Sequence, residues 1–370
     1  MPVDLAPVRD GRALSQFIDL PYRLHVGQPM WTPPLRRDVA ALLDRARNPF
    51  FEHAEAEYFL ARRGDEVVGR IAAIHNRLHN EVHEDKVGFF GFFETADDAE
   101  VARALFDAAA GWLRSRGLDT LRGPASFSVN DEFGLLVKGF AKPATIMNPY
   151  NPQYYVPLVE DAGFKGVMDL VQFERACSVL PARLLRGAQA MAKRNGVTVR
   201  TLDMKRFKQE VEVIKELYNA AWEKNWGHLP MTAHEIDNLA AQLKPIVVPD
   251  LVLFAEHEGK TIGFAVALPD LNVALRANPS GRMFPGILKV LLAARKVDRC
   301  RIALLGLLPS WQGKALDVIL YERIWSNAKK RGIRWGEGGW ILESNHAMAN
   351  GLVRMGFEPY MTYRVYDRPL

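Results

Sequence analysis

The chain has 370 residues, of which 48% are hydrophobic and 25% are charged, a globular composition that excludes a disordered or fibrous protein. A formal net charge of +5 suits an anionic partner, but it does not choose between a nucleotide cofactor, a nucleic acid and an anionic membrane surface. The two cysteines, Cys177 and Cys300, fit a reducing compartment and lack the spacing of metal ligands.

The N-terminal stretch MPVDLAPVRDGRAL carries charged side chains where a signal peptide needs an apolar run. No later stretch approaches the ~18 uninterrupted apolar residues expected of a membrane-spanning helix. We therefore expect a cytoplasmic protein, and any membrane contact to be peripheral, on the inner face of the membrane.

The first recognisable element is a β-hairpin. Residues 59–74, FLARRGDEVVGRIAAI, have the pattern of two strands joined by a polar turn at Gly64. The following segment, HNRLHNEVHE, repeats histidine every four residues. Its other polar residues indicate a polar loop or an exposed helix, and the order is not H-E-x-x-H, so no metal site is expected.

A strand and a helix are predicted within residues 88–113, GFFGFFETADDAEVARALFDAAAGWL. Four acidic residues, Glu94, Asp97, Asp98 and Glu100, are expected at the start of this helix. Carboxylates there stabilise the helix but repel a phosphorylated ligand. This part of the chain is therefore not expected to bind a nucleotide cofactor.

The second half of the chain repeats the pattern of the first. Residues 254–268, FAEHEGKTIGFAVAL, predict a second hairpin. The segments GFKGVMDLVQFER (163–175) and GFEPYMTYRVYDR (356–368) align without a gap. Two α/β domains with mixed sheets are therefore predicted, over residues 1–176 and 177–370.

Two insertions interrupt the repeat, at residues 127–149 and 269–299, and insertions into a repeated scaffold tend to be functional loops. The second insertion places apolar residues, including Phe284 and Leu288, at helical spacing with cations around and after them. Such a basic amphipathic helix is expected to contact an acyl chain or an anionic membrane. The alternative is a helix that buries its apolar side against the domain core.

Residues 307–332, LLPSWQGKALDVILYERIWSNAKKRG, predict the end of a strand, a tight turn and an amphipathic helix. Backbone N–H groups at such a helix start bind anions. Lys314 adds a positive charge, whereas Asp317 favours the helix dipole and would repel a pyrophosphate that it faced. We interpret the turn as a cofactor site in preference to a plain helix start.

The order of elements over residues 197–368 resembles the GNAT superfamily of acyl-CoA-dependent N-acyltransferases: a hairpin, a strand ending in LLPSWQGKALD, a helix, the strand RWGEGGWILESN, the helix HAMANGLVRMGF and a last strand. The resemblance implies two tandem GNAT-like domains, the N-terminal one degenerate and without CoA. Through FSVNDEFGLL, MNPYNPQYY, AAWEKNWGHLPMT and WILESNHAM the whole chain resembles the long two-domain GNAT proteins that include the bacterial ceramide synthase.

The resemblance implies acyl-CoA, either acetyl-CoA or a long-chain acyl-CoA, as co-substrate and no metal. Its pyrophosphate loop, Gln/Arg-x-x-Gly-x-Gly/Ala, matches the turn, although Ala315 and Asp317 depart from the commonest form. Backbone N–H groups at the splayed strand end would polarise the thioester carbonyl. The residues expected to bind the cofactor are Leu307, Leu308, Gln312, Gly313, Lys314, Ala315 and Asn345.

Acyl transfer to an amine also needs a base for the amine and a proton for the departing thiolate. Glu337 and Glu343 are expected on one face of the strand WGEGGWILE and are candidate bases, as is His346. Each of them equally fits an ordinary strand-end or helix-start residue. Many GNAT proteins carry a tyrosine where this chain has Leu352, so Tyr363 on the last strand is the candidate proton donor.

The segment 220–232 lies where the resemblance places the acceptor pocket; an alternative is a helix end packed with tryptophan. Candidate acceptor-binding residues are Trp222, Asn225 and Trp226, with Glu223 and His228 beside them, and Phe284 and Leu288 of the insertion. The predicted function is N-acylation of a lipid amine resembling a sphingoid base. Alternatives are a small-molecule N-acetyltransferase, a tandem GNAT-like peptide ligase linked to RNA, and a non-catalytic binding protein; DNA is not expected as a partner, and RNA is disfavoured.

Overall fold

The protein is described by a computed structural model that covers residues 1–222 and 225–370. The strands in these ranges are β1 Asp4–Pro7, β2 Ala54–Arg63, β3 Glu66–Asn76, β4 Val87–Thr95, β5 Thr120–Gly123, β6 Ala125–Ser126, β7 Glu132–Phe133, β8 Leu135–Lys138, β9 Lys165–Ala176, β10 Val197–Thr201, β11 Val252–His257, β12 Lys260–Pro269, β13 Arg299–Leu307, β14 Trp335–Leu342 and β15 Glu358–Pro369. The α-helices are α1 Gly11–Leu24, α2 Arg36–Leu42, α3 Arg77–His83, α4 Ala99–Arg114, α5 Tyr155–Glu160, α6 Ala182–Arg194, α7 Phe207–Trp222, α8 Ala233–Leu243, α9 Asn272–Leu275, α10 Gly286–Ala294, α11 Leu316–Lys330 and α12 His346–Arg354. Within the described ranges, no helix combines the length and apolarity that a membrane crossing requires.

The chain forms two compact units. The first unit comprises Met1–Leu170, Asn272–Arg295 and Met361–Leu370, and the second comprises Val171–Leu271 and Lys296–Tyr360. These units do not coincide with consecutive halves of the sequence, because the α9–α10 insertion and the last ten residues belong to the first unit. A boundary between residues 176 and 177 as the limit of the repeat stays a prediction.

In the first unit the strands lie in the order β1-β2-β3-β4-β5-β15, with β8 also paired to β15. The predicted hairpin is formed by β2 and β3, and β4 and β5 are parallel. Helix α4 buries Leu105, Phe106 and Leu113 completely. A Cβ atom on Gly69 or Gly88 would overlap side chains of α4, so glycine at these strand positions lets the helix approach the sheet closely.

The second unit has the strand order β10-β11-β12-β13-β14. The second predicted hairpin is formed by β11 and β12, and β13 and β14 are parallel. Helix α11 contributes Leu320, Ile324 and Trp325 to the core. A Cβ atom on Gly336 would overlap the indole of Trp325, so this glycine gives the indole its place against β14.

Two expectations for the first half of the sequence are wrong in detail. Glu94 lies in strand β4 rather than at the helix start, where Asp98 caps α4 by accepting hydrogen bonds from the backbone N–H groups of residues 100 and 101. The histidine repeat is not wholly exposed, because His79 is buried in α3 and burial lowers its pKa to about 3. Among the residues that the structure describes, no group of three or more His, Cys, Asp or Glu side chains is arranged to hold a metal.

Candidate active site in the second unit

Strands β13 and β14 separate along their length. Their parallel register runs from Arg299 opposite Trp335 to Ile302 opposite Gly338, whereas β13 remains paired with β12 as far as Leu307. In the part of the chain described by the structure, residues 303–307 thus have no strand partner on the β14 side. Backbone groups that face such a gap are available to a ligand, because they lack the ladder hydrogen bonds of a continuous sheet.

The hydrogen bonding at the end of β13 distinguishes two neighbouring backbone N–H groups. Leu308 donates its N–H to the carbonyl oxygen of Ile262 at 2.9 Å, so this group is already used. Leu307 lies opposite Gly263, and alternate residues of an antiparallel pair point away from the partner strand. The N–H of Leu307 therefore points away from β12. The role of Leu308 in polarising a thioester carbonyl stays a prediction, which this hydrogen bond disfavours.

The turn after β13 is built around two residues in the left-handed backbone region. Gly313 has φ +73°, and a Cβ there would meet nothing within 4 Å, so the turn is open at this point. Ala315 has φ 55° and ψ 25° and precedes α11 without a capping hydrogen bond from its side chain. The Gln312 amide donates to the carbonyl of Leu307 at 3.1 Å and ties the turn to the strand. Lys314 holds its ammonium 4.1 Å from the ring centre of Trp311.

Asp317 is the residue of this turn that opposes anion binding. Burial raises the pKa of its carboxyl, while hydrogen bonds from the backbone N–H groups of Val318 and of Asp317 itself act in the opposite direction. These N–H groups belong to the first turn of α11, which is where an anion would bind. The carboxylate therefore competes with a pyrophosphate for the same donors.

Glu337 lies in a buried ion pair. It is fully buried on β14, and its Oε1 atom is 3.3 Å from Nε of Arg301, the residue opposite it on β13. Arg301 also donates to the carbonyl of Gly339 at 3.0 Å, and the hydroxyl of Tyr360 donates to Glu337. Protonating Glu337 would leave a buried guanidinium without its counter-charge, which makes this carboxylate a poor base. Its assignment as a base stays a prediction that this geometry disfavours.

The other candidate acid and base residues lie in different surroundings. Strand β14 ends at Leu342, so Glu343 is exposed in the following turn, and the expectation that it shares a strand face with Glu337 is wrong. His346 is exposed at the first position of α12, and Asn345 caps this helix by accepting from the N–H of Met348 at 3.1 Å. The catalytic roles of Glu343 and His346 and the cofactor-binding role of Asn345 stay predictions.

Tyr363, the candidate proton donor, belongs to the first unit. Its side chain is fully buried, and its hydroxyl donates to the carbonyl of Pro149 at 3.1 Å. The existing bond disfavours the predicted role. Tyr360, which the sequence left without a role, is the tyrosine that contacts Glu337 in the second unit.

The candidate acceptor residues divide between the two units. Trp222 ends α7, and a Cβ on Gly306 of β13 would lie 2.8 Å from its indole. Asn225 donates its backbone N–H to the carbonyl of Trp222 at 2.8 Å, and Trp226 is partly exposed. Trp222 therefore lies beside β13 close to the strand separation. Glu223 lies outside the described residues. Phe284 and Leu288 belong to the first unit and are exposed.

Comparison with known proteins shows that the chain is related in sequence, over nearly its whole length, to two bacterial proteins. No family model matches the chain. The bacterial ceramide synthase of Caulobacter vibrioides is 36% identical over 381 residues, which cover 100% of this chain and 98% of that protein. Protein YghO of Escherichia coli is 34% identical over 366 residues, covering 96% and 93%.

Solved structures share the fold at low sequence identity. A tandem GNAT protein from the clavulanic acid biosynthesis pathway matches with a TM-score of 0.56 and 14% identity over 99% of this chain and 98% of its own. A probable N-acyltransferase from Enterococcus faecalis matches with a TM-score of 0.53 and 10% identity over 100% and 73%. The predicted tandem GNAT fold is thereby confirmed, and the chain belongs to the GNAT-fold family that includes the bacterial ceramide synthase.

Proposed function

We propose that the protein is an acyl-CoA-dependent N-acyltransferase that forms an amide between a fatty acyl group and the primary amine of a lipid resembling a sphingoid base. The observation that carries the proposal is the separation of β13 from β14 directly before an open turn at a helix start. The full-length relationship to a protein named for ceramide synthesis supports the choice of a lipid amine.

The thioester and the diphosphate of CoA need different donors. The N–H of Leu307 is suited to the thioester carbonyl oxygen, because it points away from β12 at the end of the strand separation. The backbone N–H groups between Gly313 and the start of α11, with the ammonium of Lys314, suit the pyrophosphate. Binding requires the Asp317 carboxyl to release its backbone donors or to be protonated.

The chemical step joins the amine nitrogen to the acyl carbon, breaks the carbon–sulfur bond and transfers one proton from nitrogen to the CoA thiolate. Glu343 and His346 are better candidate bases than Glu337, because both are exposed just after β14. The imidazole of His346 has a ring nitrogen that can accept a proton from the amine. The thiolate itself accepts a proton readily, since thiols have a pKa near ~8.5.

The first unit supplies no second acyl-CoA site in this proposal. Helix α4 begins at a carboxylate cap, and Asp98 and Glu100 both bind Arg63 there. A Cβ atom on Gly91 would overlap the carbonyl oxygen of Ala125, so β6 lies directly against β4 where an acyl thioester would have to enter. One CoA should therefore bind per chain.

The insertion after β12 supports a peripheral contact with an anionic membrane. Phe284, Leu288, Leu291 and Leu292 are exposed, whereas Gly286 and Val290 face the protein. The cations of this surface are Arg282, Lys289, Arg295 and Lys296, all exposed. We name these eight exposed residues the α10 surface. Exposed apolar residues interspersed with cations suit the interface of a bilayer that carries acidic headgroups.

Release of free CoA thiol tests the function against its alternatives. We expect palmitoyl-CoA with a long-chain 2-amino alcohol to give much faster thiol release than acetyl-CoA with the same amine. A protein that prefers acetyl-CoA and water-soluble amines would instead be a small-molecule N-acetyltransferase. If neither class of amine gave thiol release and no CoA thioester stabilised the protein against thermal unfolding, both the lipid N-acyltransferase and the small-molecule N-acetyltransferase would be contradicted.

A further inference from the structure

The C-terminal end of helix α6 lies close to the turn that starts α11. A Cβ atom placed on Gly196, two residues after α6, would be 3.8 Å from Nδ1 of His257. The ring centre of His257 is 4.8 Å from that of Trp311, and the Lys314 ammonium is 4.1 Å from the ring centre of Trp311. The side chains of His257 and Trp311 therefore connect the end of α6 to the turn assigned to the CoA diphosphate.

Helix α6 runs antiparallel to α11. Ala188 and Ala192 of α6 and Leu316 of α11 belong to one buried core. The backbone N–H of Cys177, shortly before α6, donates to the carbonyl of Arg334, shortly after α11, at 2.7 Å. The start of α6 is thus held at the end of α11, and the end of α6 lies at the start of α11, where the turn for the CoA diphosphate is found.

Cations are concentrated at this end of α6. Lys193 and Arg194 are exposed at the last two positions of the helix, which contains no acidic residue. Lys260 is exposed in the strand register opposite His257, and cross-strand neighbours project from the same face of a sheet. We name Lys193, Arg194, Lys260 and Lys314 the Trp311 cations. Among the residues that the structure describes, the first three of these cations have no ion-pair partner.

Carboxylates offset only part of this positive charge. Glu256 accepts a hydrogen bond from Nε of Arg200 at 2.6 Å, so its charge is compensated locally. Glu258 is exposed in the hairpin turn, with its Oε2 atom 3.9 Å from Nε2 of His257. Asp317 is held at the start of α11 by backbone hydrogen bonds. The surface at the end of α6 therefore carries an excess of positive charge and suits an anion with more than one negative charge.

Coenzyme A carries two phosphate groups that are separated along its length. The diphosphate joins the pantetheine arm to the adenosine, and a phosphate monoester is attached to the 3′ oxygen of the ribose. The monoester is close to a dianion above its second pKa of ~6. Because the arm leaves the diphosphate toward the strand separation, the ribose and its monoester lie on the other side of the diphosphate. In the strand order, His257 on β11 lies on the side of β13 away from β14, and so away from the strand separation.

We propose that the Trp311 cations bind the 3′-phosphate of CoA. The guanidinium of Arg194 can pair with two phosphate oxygens, and the ammonium groups of Lys193 and Lys260 add point charges. This role rests on the proposed function, because it takes the diphosphate to lie at the turn before α11. It makes these cations a specificity determinant for the acyl donor. A CoA thioester is preferred to a thioester of phosphopantetheine, which lacks the ribose and its phosphate.

Calorimetric titration of the full chain with CoA and with 3′-dephospho-CoA, at about pH 8 and about 0.05 M salt, measures the contribution of the 3′-phosphate. The unsubstituted protein should bind CoA about tenfold more tightly than 3′-dephospho-CoA, because charge-assisted contacts to a dianion are gained. Lys193→Gln with Arg194→Gln should lose most of this preference, while its affinity for 3′-dephospho-CoA stays unchanged. Arg183→Gln with Arg186→Gln is the matched control, since it removes two exposed cations about 10–15 Å away along the same helix, and it should keep the preference.

Titration with both ligands separates a phosphate contact from a structural effect. A distorted fold would weaken the binding of both ligands alike, whereas loss of a contact to the 3′-phosphate weakens the binding of CoA alone. Because all four substituted side chains are exposed, neither double variant should change the thermal unfolding temperature. Raising the salt to about 0.5 M should reduce the preference of the unsubstituted protein, since screening weakens contacts between exposed charges.

Equal affinity of the unsubstituted protein for the two ligands, or an undiminished preference in Lys193→Gln with Arg194→Gln, would overturn the inference. Equal loss of preference in both double variants would also overturn it, because the effect would then come from net charge. Thiol release from palmitoyl-CoA with an amino lipid distinguishes failure of the proposed function. Acyl transfer with equal affinities for the two ligands would leave the function standing and remove the 3′-phosphate site. The expected preference without acyl transfer would leave the site standing and contradict the function.

Discussion

The α10 surface should bind anionic membranes through its apolar side chains. Phe284, Leu288, Leu291 and Leu292 are 77%, 58%, 60% and 65% exposed, which together equals between two and three whole side chains. At ~1.5–3 kcal/mol for each fully buried side chain, complete insertion would contribute about 4–8 kcal/mol. The four cations would add about 1 kcal/mol each near acidic headgroups at low salt.

The double substitution Phe284→Asp with Leu288→Asp removes about half of this exposed apolar area and adds two negative charges. We expect it to weaken partitioning by at least ~100-fold, which corresponds to about 2.7 kcal/mol. Because both residues are exposed, the substitutions should not change the thermal unfolding temperature. Cosedimentation with vesicles of phosphatidylglycerol and phosphatidylcholine, at about 0.1 M and about 0.5 M salt, measures the partitioning and its screening.

Val26→Asp is the matched control. Val26 is 76% exposed in the same unit but lies outside the α10 surface. Its substitution should leave vesicle binding unchanged. Equal binding by the double variant and the Val26 variant, or no binding of the unsubstituted protein at low salt, would show that the α10 surface does not bind anionic membranes.

Three further predictions concern the second unit. Lys314→Glu should weaken CoA binding more than tenfold, a loss above ~1.4 kcal/mol, and unchanged affinity by calorimetry would contradict the assignment of the turn as the CoA site. Calorimetry of the unsubstituted protein should also give one CoA per chain, and two CoA per chain would contradict the absence of a CoA site in the first unit. Asp317→Asn should tighten CoA binding and raise stability at neutral pH. Burial raises the pKa of the Asp317 carboxyl in the folded protein, so ionisation of this carboxyl lowers the stability of the fold above that pKa, and the destabilisation disappears in acid. Thermal unfolding at neutral and at acidic pH measures this difference, and a variant that is less stable than the unsubstituted protein at neutral pH would contradict it. Glu337→Gln should lower the free energy of unfolding by about 3–5 kcal/mol, because it removes the negative charge that Glu337 supplies to the buried Arg301. Adding Arg301→Gln should restore part of this free energy, and urea unfolding that shows no restoration would contradict a stabilising ion pair.

The elements with strong local signals could be predicted from the sequence. Both hairpins form where alternating apolar residues flank a polar turn, and α11 begins after the predicted turn. The tandem GNAT fold, which the resemblance of this element order to the GNAT superfamily implies, is confirmed by the comparisons. Periodicity and turn chemistry act over a few residues, which is why a single sequence carries them.

Details of the site depended on contacts between distant residues. The hydrogen bond from the Leu308 N–H to the Ile262 carbonyl depends on the register of β12 and β13, and the sequence of one strand alone does not determine that register. Glu94 was expected among helix-start carboxylates, but β4 continues to Thr95 and places it beside His25. A local pattern of acidic residues cannot distinguish an exposed cap from a buried anion whose partner lies 69 residues away.

Detection of the amide product tests acyl transfer to a lipid amine directly. The unsubstituted protein would be incubated with palmitoyl-CoA labelled with carbon-13 in the acyl chain and sphinganine labelled with nitrogen-15, and the lipid extract analysed by mass spectrometry. N-acylation of a lipid amine predicts a product that carries both labels in one amide, formed in step with free CoA and greatly reduced in Lys314→Glu. Release of labelled fatty acid without any doubly labelled amide, by a folded protein that binds palmitoyl-CoA, would contradict N-acyl transfer to a lipid amine.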